Sequence, residues 1–117
     1  MVYYNPDDEL LQDYLDVVLA LDIINGYIWN NLEFPEYRIS AEKEFEICYK
    51  RQGAEQLADF ITEHRDEGSV LDLIEKFEYQ LNCRAAKYPA DSSAYRMFCC
   101  MRDGVREAGQ EVGASFL

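Results

Sequence analysis

The first thirty-seven residues contain no lysine and no arginine, and the first basic side chain is Arg38. A surface of that kind repels phosphate, which argues against direct nucleic-acid binding. The chain has one histidine, His64. Any Ser-His-Asp or Cys-His arrangement would have to use it. It sits between Glu63 and Arg65 at the end of a helical pattern, where a capping or core-edge role is the simpler reading. No GxxxxGK[ST] or GxGxxG segment occurs, so phosphate-loop chemistry has no support, and HExxH is also absent. EF-hand spacing is missing, and carboxylates such as Asp13 and Asp16 on one helix make a weak cation site. Acids are so abundant that no particular pair marks general acid-base chemistry. The expectation is a protein that is not an enzyme and uses no cofactor and no metal.

The longest near-apolar stretch, residues 17–24, is interrupted by Asp22. A membrane span needs about 20 residues, so no membrane role is expected. The N-terminus Met1-Val-Tyr-Tyr-Asn-Pro-Asp-Asp lacks the basic region and small-residue cleavage site of a signal peptide. The four cysteines, Cys48, Cys83, Cys99 and Cys100, form no CxxC pair. Reduced thiols and a cytoplasmic location follow as expectations. A redox switch at Cys99-Cys100 is the alternative reading of that pair.

What the chain does have is acid and aromatic area. Residues 1–37 hold eight acids and seven aromatics, and carry −8 of the net −12. Residues 38–83 carry −5 and residues 84–117 carry +1. The basic residues Arg84, Lys87, Arg96, Arg102 and Arg106 are available to pair with N-terminal acids inside the fold. Even then the excess negative charge must face solvent or a partner. With 117 residues, 49% hydrophobic and 14% aromatic, the chain is a single domain, residues 1–117, with enough apolar material for a core.

The pattern predicts an all-α bundle of four to five short helices whose short connections favour antiparallel packing. The first helix spans about residues 7–24, with acids at its positive end and Asn25-Gly26 as its stop. Leu10, Leu11, Tyr14, Val17, Val18 and Leu21 share one arc of about 120° at 100° per residue, and Glu9, Asp13 and Asp16 form a stripe on the far side. Residues 26–39 read as a loop, and a small β-hairpin is an alternative within residues 26–49. Ser40 caps a second helical region, residues 41–65, in which Gly53 marks a break or kink. A third helix follows Ser69, with Val70, Leu73, Ile74, Phe77 and Leu81 recurring at the helical period, and runs to Pro89. A fourth follows Asp91-Ser92-Ser93. Gly104, Gly109 and Gly113 weaken it, so residues 109–117 are expected to fray or dock loosely.

An acidic, aromatic surface favours a cationic protein partner. The candidate contact residues are Asp8, Glu9, Asp13 and Asp16 from the first helix, with Tyr27, Trp29, Glu33, Glu36 and Tyr37 from the segment after it. The carboxylates would stand in for phosphates, and the aromatics would be the anchors. In size, acidity and lack of a catalytic motif the chain resembles the anti-CRISPR inhibitors encoded by phages and mobile elements. That resemblance implies a Cas effector or nuclease as partner, blocked by nucleic-acid mimicry. Immunity proteins to nuclease toxins are similar in the same respects. An acidic adaptor or self-associating subunit, for instance a homodimer through an apolar patch, is the third reading. Reversing Glu9, Asp13 and Asp16 to lysine together is expected to weaken a cationic partner by about tenfold or more in a titration. Unchanged affinity would reduce the stripe to a solvated face.

Overall fold

The structure, a computed structural model, describes residues 6–32 and 39–116, with side chains from residue 14 onward. Helix α1 spans Pro6–Asn31, α2 spans Ala41–Glu63, α3 spans Val70–Ala85 and α4 spans Ser93–Phe116. There is no strand among the described residues. The hairpin alternative therefore fails for residues 26–31 and 41–49, which are helical, while residues 33–38 lie outside the described set.

The helix starts follow local chemistry. Pro6 opens α1, where its missing N–H costs nothing. Ser40 accepts a hydrogen bond from the Lys43 N–H, and Ser69 accepts one from the Asp72 N–H. Ser92 accepts from the Tyr95 N–H at the head of α4. Each cap satisfies a donor that the first helical turn leaves free. His64 caps the end of α2. The third helix stops at Ala85, three residues before the expected end. Two turn bonds, from the Lys87 N–H to Arg84 and from the Tyr88 N–H to Ala85, carry the chain to Pro89.

Helix α1 does not stop at Asn25-Gly26. It continues through Asn31 because Ile24, Tyr27, Ile28 and Leu32 follow the helical period and are all buried. Burial of that line outweighs the weak local preference of Asn and Gly for a turn. The side-chain amide of Asn31 donates to the Tyr27 carbonyl and ties the last turn. The expected apolar arc is also displaced. The core line is Val17, Ala20, Ile24, Tyr27 and Ile28, whereas Tyr14 and Val18 point outward.

Gly53 does not divide α2, which is one helix through it. Its role is to let α4 touch α2 backbone to backbone. A Cβ at Gly53 would lie 2.2 Å from the Met101 carbonyl oxygen, and a Cβ at Gly104 would lie 2.2 Å from the Lys50 carbonyl oxygen. The contact is reciprocal, so each helix presents its glycine to the other's main chain. Gly104 is buried and strengthens the packing of α4 rather than weakening the helix.

Helix α3 runs antiparallel to α4. Arg102 meets Asn82, Arg106 meets Glu78, and the position of Gly109 faces Ile74, so numbers rise on one helix as they fall on the other. This contact carries α4 to Phe116, with Val112 fully buried and Phe116 against the core. The expected loose tail is therefore docked through residue 116. One core joins all four helices, and Ile24, Leu57, Ile61, Leu73, Leu81, Val105 and Val112 are its largest enclosed side chains. Each contributes on the order of 1.5–3 kcal/mol by leaving water. Phe60 and Phe77 pack at 5.0 Å between α2 and α3.

These contacts separate the glycines. Gly53→Ala or Gly104→Ala is expected to destabilise the fold by about 3 kcal/mol, because backbone cannot move aside as a side chain can. Gly26 has nothing within 4 Å of an added Cβ. Gly26→Ala is therefore expected to stabilise by about 0.5–1 kcal/mol through helix propensity. Urea denaturation followed by circular dichroism checks both signs.

Candidate functional site

Helix α1 uses one face for the core and leaves another apolar face uncovered. Tyr14 is 58% exposed, Leu15 49%, Val18 44%, Leu19 43% and Trp29 59%. Leu15, Val18, Leu19, Asp22 and Trp29 follow the i, i+3, i+4, i+7, i+14 series, which is one side of a helix. The stripe from Leu15 to Trp29 is about 21 Å long at 1.5 Å per residue. Along its centre Leu15, Asp16, Val18, Leu19, Leu21, Asp22 and Asn25 line a shallow, open depression of about 700 Å3. Exposed apolar side chains that cluster on one helix face are a common feature of surfaces that make contacts. Aliphatic floor, one tryptophan and exposed Asp22 together make a surface suited to protein contact.

The expected contact residues divide across this geometry. Trp29 is exposed on the stripe, as an anchor must be. Tyr27 is not an anchor. It is 4% exposed, and its hydroxyl donates to Glu107 Oε2 at 2.9 Å. Its position two residues before Trp29 turns it about 160° away around the helix, toward the core. Asp16 is half-buried, and it lies about 40° around the helix from buried Ala20. It is therefore beside the core face rather than opposite it. The side chains of Asp8, Glu9 and Asp13, and all of Glu33, Glu36 and Tyr37, lie outside the described residues. The outward roles of Leu15, Val18, Leu19 and Asp22 were missed in the sequence. Their signal was present, because residues 14–24 are apolar over more of the circumference than one core face requires.

Behind the stripe a polar network fastens α1 to the bundle. Glu107 of α4 accepts from the Tyr27 hydroxyl and pairs with Lys50 of α2 at 3.0 Å, and Lys50 also reaches Glu46 at 3.1 Å. Burial raises the Tyr27 phenol above its ordinary value, and the hydrogen bond to Glu107 and nearby carboxylates raise it further. Burial alone would lower Lys50, but its hydrogen bonds to Glu107 and Glu46 outweigh that and raise it. The same bond to Lys50 holds the Glu46 carboxyl below its ordinary range.

Three arginines of α4 make local contacts. Arg102 pairs with Asp103 and Arg106 with Glu78, while Arg96 lies 4.6 Å over the Phe45 ring. These arginines serve α2, α3 and α4. His64 pairs with Glu67 and stacks near Phe60. Burial pushes the Cys100 thiol up, aided by Asp103 and Glu46, which is the opposite of an activated thiolate. Among the described residues, no group of three His, Cys, Asp or Glu side chains is placed to hold a metal ion. No described helix is long and apolar enough to cross a membrane. The chain matches no protein-family model, no curated protein and no solved structure.

The network contributes a pH dependence to the stability of the fold. Tyr27 and Lys50 hold protons more tightly folded than unfolded, so their contribution is complete below their ordinary values of 10.0 and 10.5 and is lost as pH rises beyond them. Glu46 has the opposite sign. Its contribution is present above 4.5 and lost as pH falls below it. Tyr27→Phe is expected to cost about 1 kcal/mol at neutral pH and to flatten the alkaline loss. Thermal denaturation at stepped pH measures both effects.

Proposed function

We propose that the chain is a protein-binding inhibitor that uses an acidic, aromatic face to occupy the nucleic-acid-binding surface of a basic protein. This is the action implied by the resemblance to anti-CRISPR inhibitors, with a Cas effector or nuclease as the target. The observation that carries the proposal is the outward stripe of α1. It combines exposed Leu15, Val18, Leu19 and Trp29 with a helix that has no basic residue in a chain of net charge −12. Apolar anchors supply affinity, and carboxylates select a cationic partner and speed its approach. An immunity protein to a nuclease toxin would use the same surface in the same way. The exposed aliphatic residues also favour a second reading, an adaptor that joins a complex through the stripe. In that case association depends little on salt.

Immobilised protein exposed to a bacterial lysate containing candidate nucleases separates the readings. The inhibitor reading expects a large basic protein released by rising salt and also by heparin, which competes as a polyanion. Partners indifferent to salt would assign the chain to the adaptor class. Trp29→Ala is expected to weaken the recovered complex by about tenfold or more. It should leave helicity unchanged, because Trp29 lies outside the core.

A further inference from the structure

We propose that the outward face of α1, where Leu15, Val18 and Leu19 are exposed beside Asp22 and Trp29 stands farther along the same side, receives an amphipathic helix of net positive charge. This deepens the reading of the chain as a binder of basic proteins and rests on it. The exposed residues recur at helical spacing, the depression between Leu15 and Asn25 is shallow and open to solvent, and the stripe from Leu15 to Trp29, about 21 Å, matches roughly fourteen residues of a partner helix. Gly26 adds to this match. On the helix circumference it falls between Leu19 and Asp22, and an added Cβ there would meet nothing in the monomer. A partner backbone can therefore come close at that point.

Charge decides the occupant. Every ionisable carboxylate or ammonium group on α1 is an aspartate or glutamate: Asp7, Asp8, Glu9, Asp13, Asp16 and Asp22. A second copy of α1 brings the same six acids and no ammonium or guanidinium, so two such helices repel, which is unfavourable. An acidic or neutral helix gains nothing from Asp22. A helix with a leucine-type stripe flanked by lysine or arginine matches both the aliphatic residues and Asp22. Its basic side chains can lay their methylenes along Val18 and Leu19 while their heads reach Asp22.

Trp29 is the chain's one tryptophan and stands on this face, so its fluorescence reports occupancy directly. The probe is a synthetic helical peptide of about eighteen residues with a leucine stripe and lysine flanks. Two control peptides have the leucines scattered or glutamate in place of lysine. The lysine helix is expected to produce a saturable blue shift, with a dissociation constant that rises with salt. Both controls should bind about tenfold or more weakly. The pair Leu15→Ser and Val18→Ser, and separately Asp22→Lys, should each weaken the lysine helix about tenfold with little change in melting temperature. All three sites are exposed. The proposal is overturned if no shift occurs, if the glutamate helix binds equally, or if the substitutions have no effect. It is also overturned if the peptide-free protein sediments as a dimer with Trp29 already shielded, since a second copy would then cover this face. The lysate experiment keeps the two ideas apart. Peptide docking together with salt-indifferent partners would retain the helix-docking face and remove the inhibitor reading. A captured basic protein that ignores Leu15 and Val18 would retain the inhibitor reading and remove the helix-docking face.

Discussion

The structure depends on one contact, the crossing of α2 and α4 at Gly53 and Gly104. Main chain meets main chain there, with each glycine lying against a carbonyl of the other helix. Such an approach brings the helix axes closer than any side chain would allow and leaves no freedom of phase. Once Gly53 faces Met101 and Gly104 faces Lys50, the rest of each helix is oriented. Ala54, Leu57 and Ile61 are carried inward on α2, and Val105, Ala108 and Val112 on α4. Close packing of this kind tolerates little added volume. The low intrinsic helix propensity of glycine is therefore accepted at these two positions in exchange for contact area.

The same crossing sets where charge is held. Lys50 sits at the contact and reaches from α2 to Glu107 of α4, and Glu107 accepts the hydroxyl of Tyr27 from α1. Three helices thus share one half-buried group of polar atoms, each provided with a partner. A half-buried carboxylate left without such partners would cost more than it contributes. Arg102 and Arg106 are taken up against Asp103 and Glu78. These two C-terminal arginines thus serve α3 and α4.

Much of this was legible in the sequence where the governing physics is local. Ser40 and Ser69 announced their helices because a hydroxyl at that position can reach an N–H three residues on. Val70, Leu73, Ile74, Phe77 and Leu81 announced the buried face of α3 because one side of that helix is apolar and the other is not. Helix α1 was harder. Residues 14–24 are apolar nearly all round, so periodicity alone could not say which side faces the core, and Val18 and Tyr14 were assigned inward. Only the position of α2 and α4 chooses the line through Ala20, Ile24 and Tyr27. The glycines were misread for the same reason. A glycine that ends a helix and one that admits a neighbouring backbone look alike until the neighbour is placed. The burial of Tyr27 was not legible, because the helix was expected to stop before it and a loop gives no face to assign.

The division of α1 into two faces has a consequence for how it would bind. The residues that hold it to the bundle, Val17, Ala20, Ile24, Tyr27 and Ile28, are distinct from those that face out. The outward stripe is therefore already formed on a continuous helix before any partner arrives, and little ordering remains to offset the affinity. Carboxylates and aliphatic groups then act at different stages. Long-range attraction from the acidic helix works during approach, and salt screens it over about 10 Å. Contact with Leu15, Val18, Leu19 and Trp29 works only after docking, at distances where salt has little influence. In the proposed complex, charge on this surface would therefore govern the association rate, whereas the aliphatic stripe would govern how long the complex lasts.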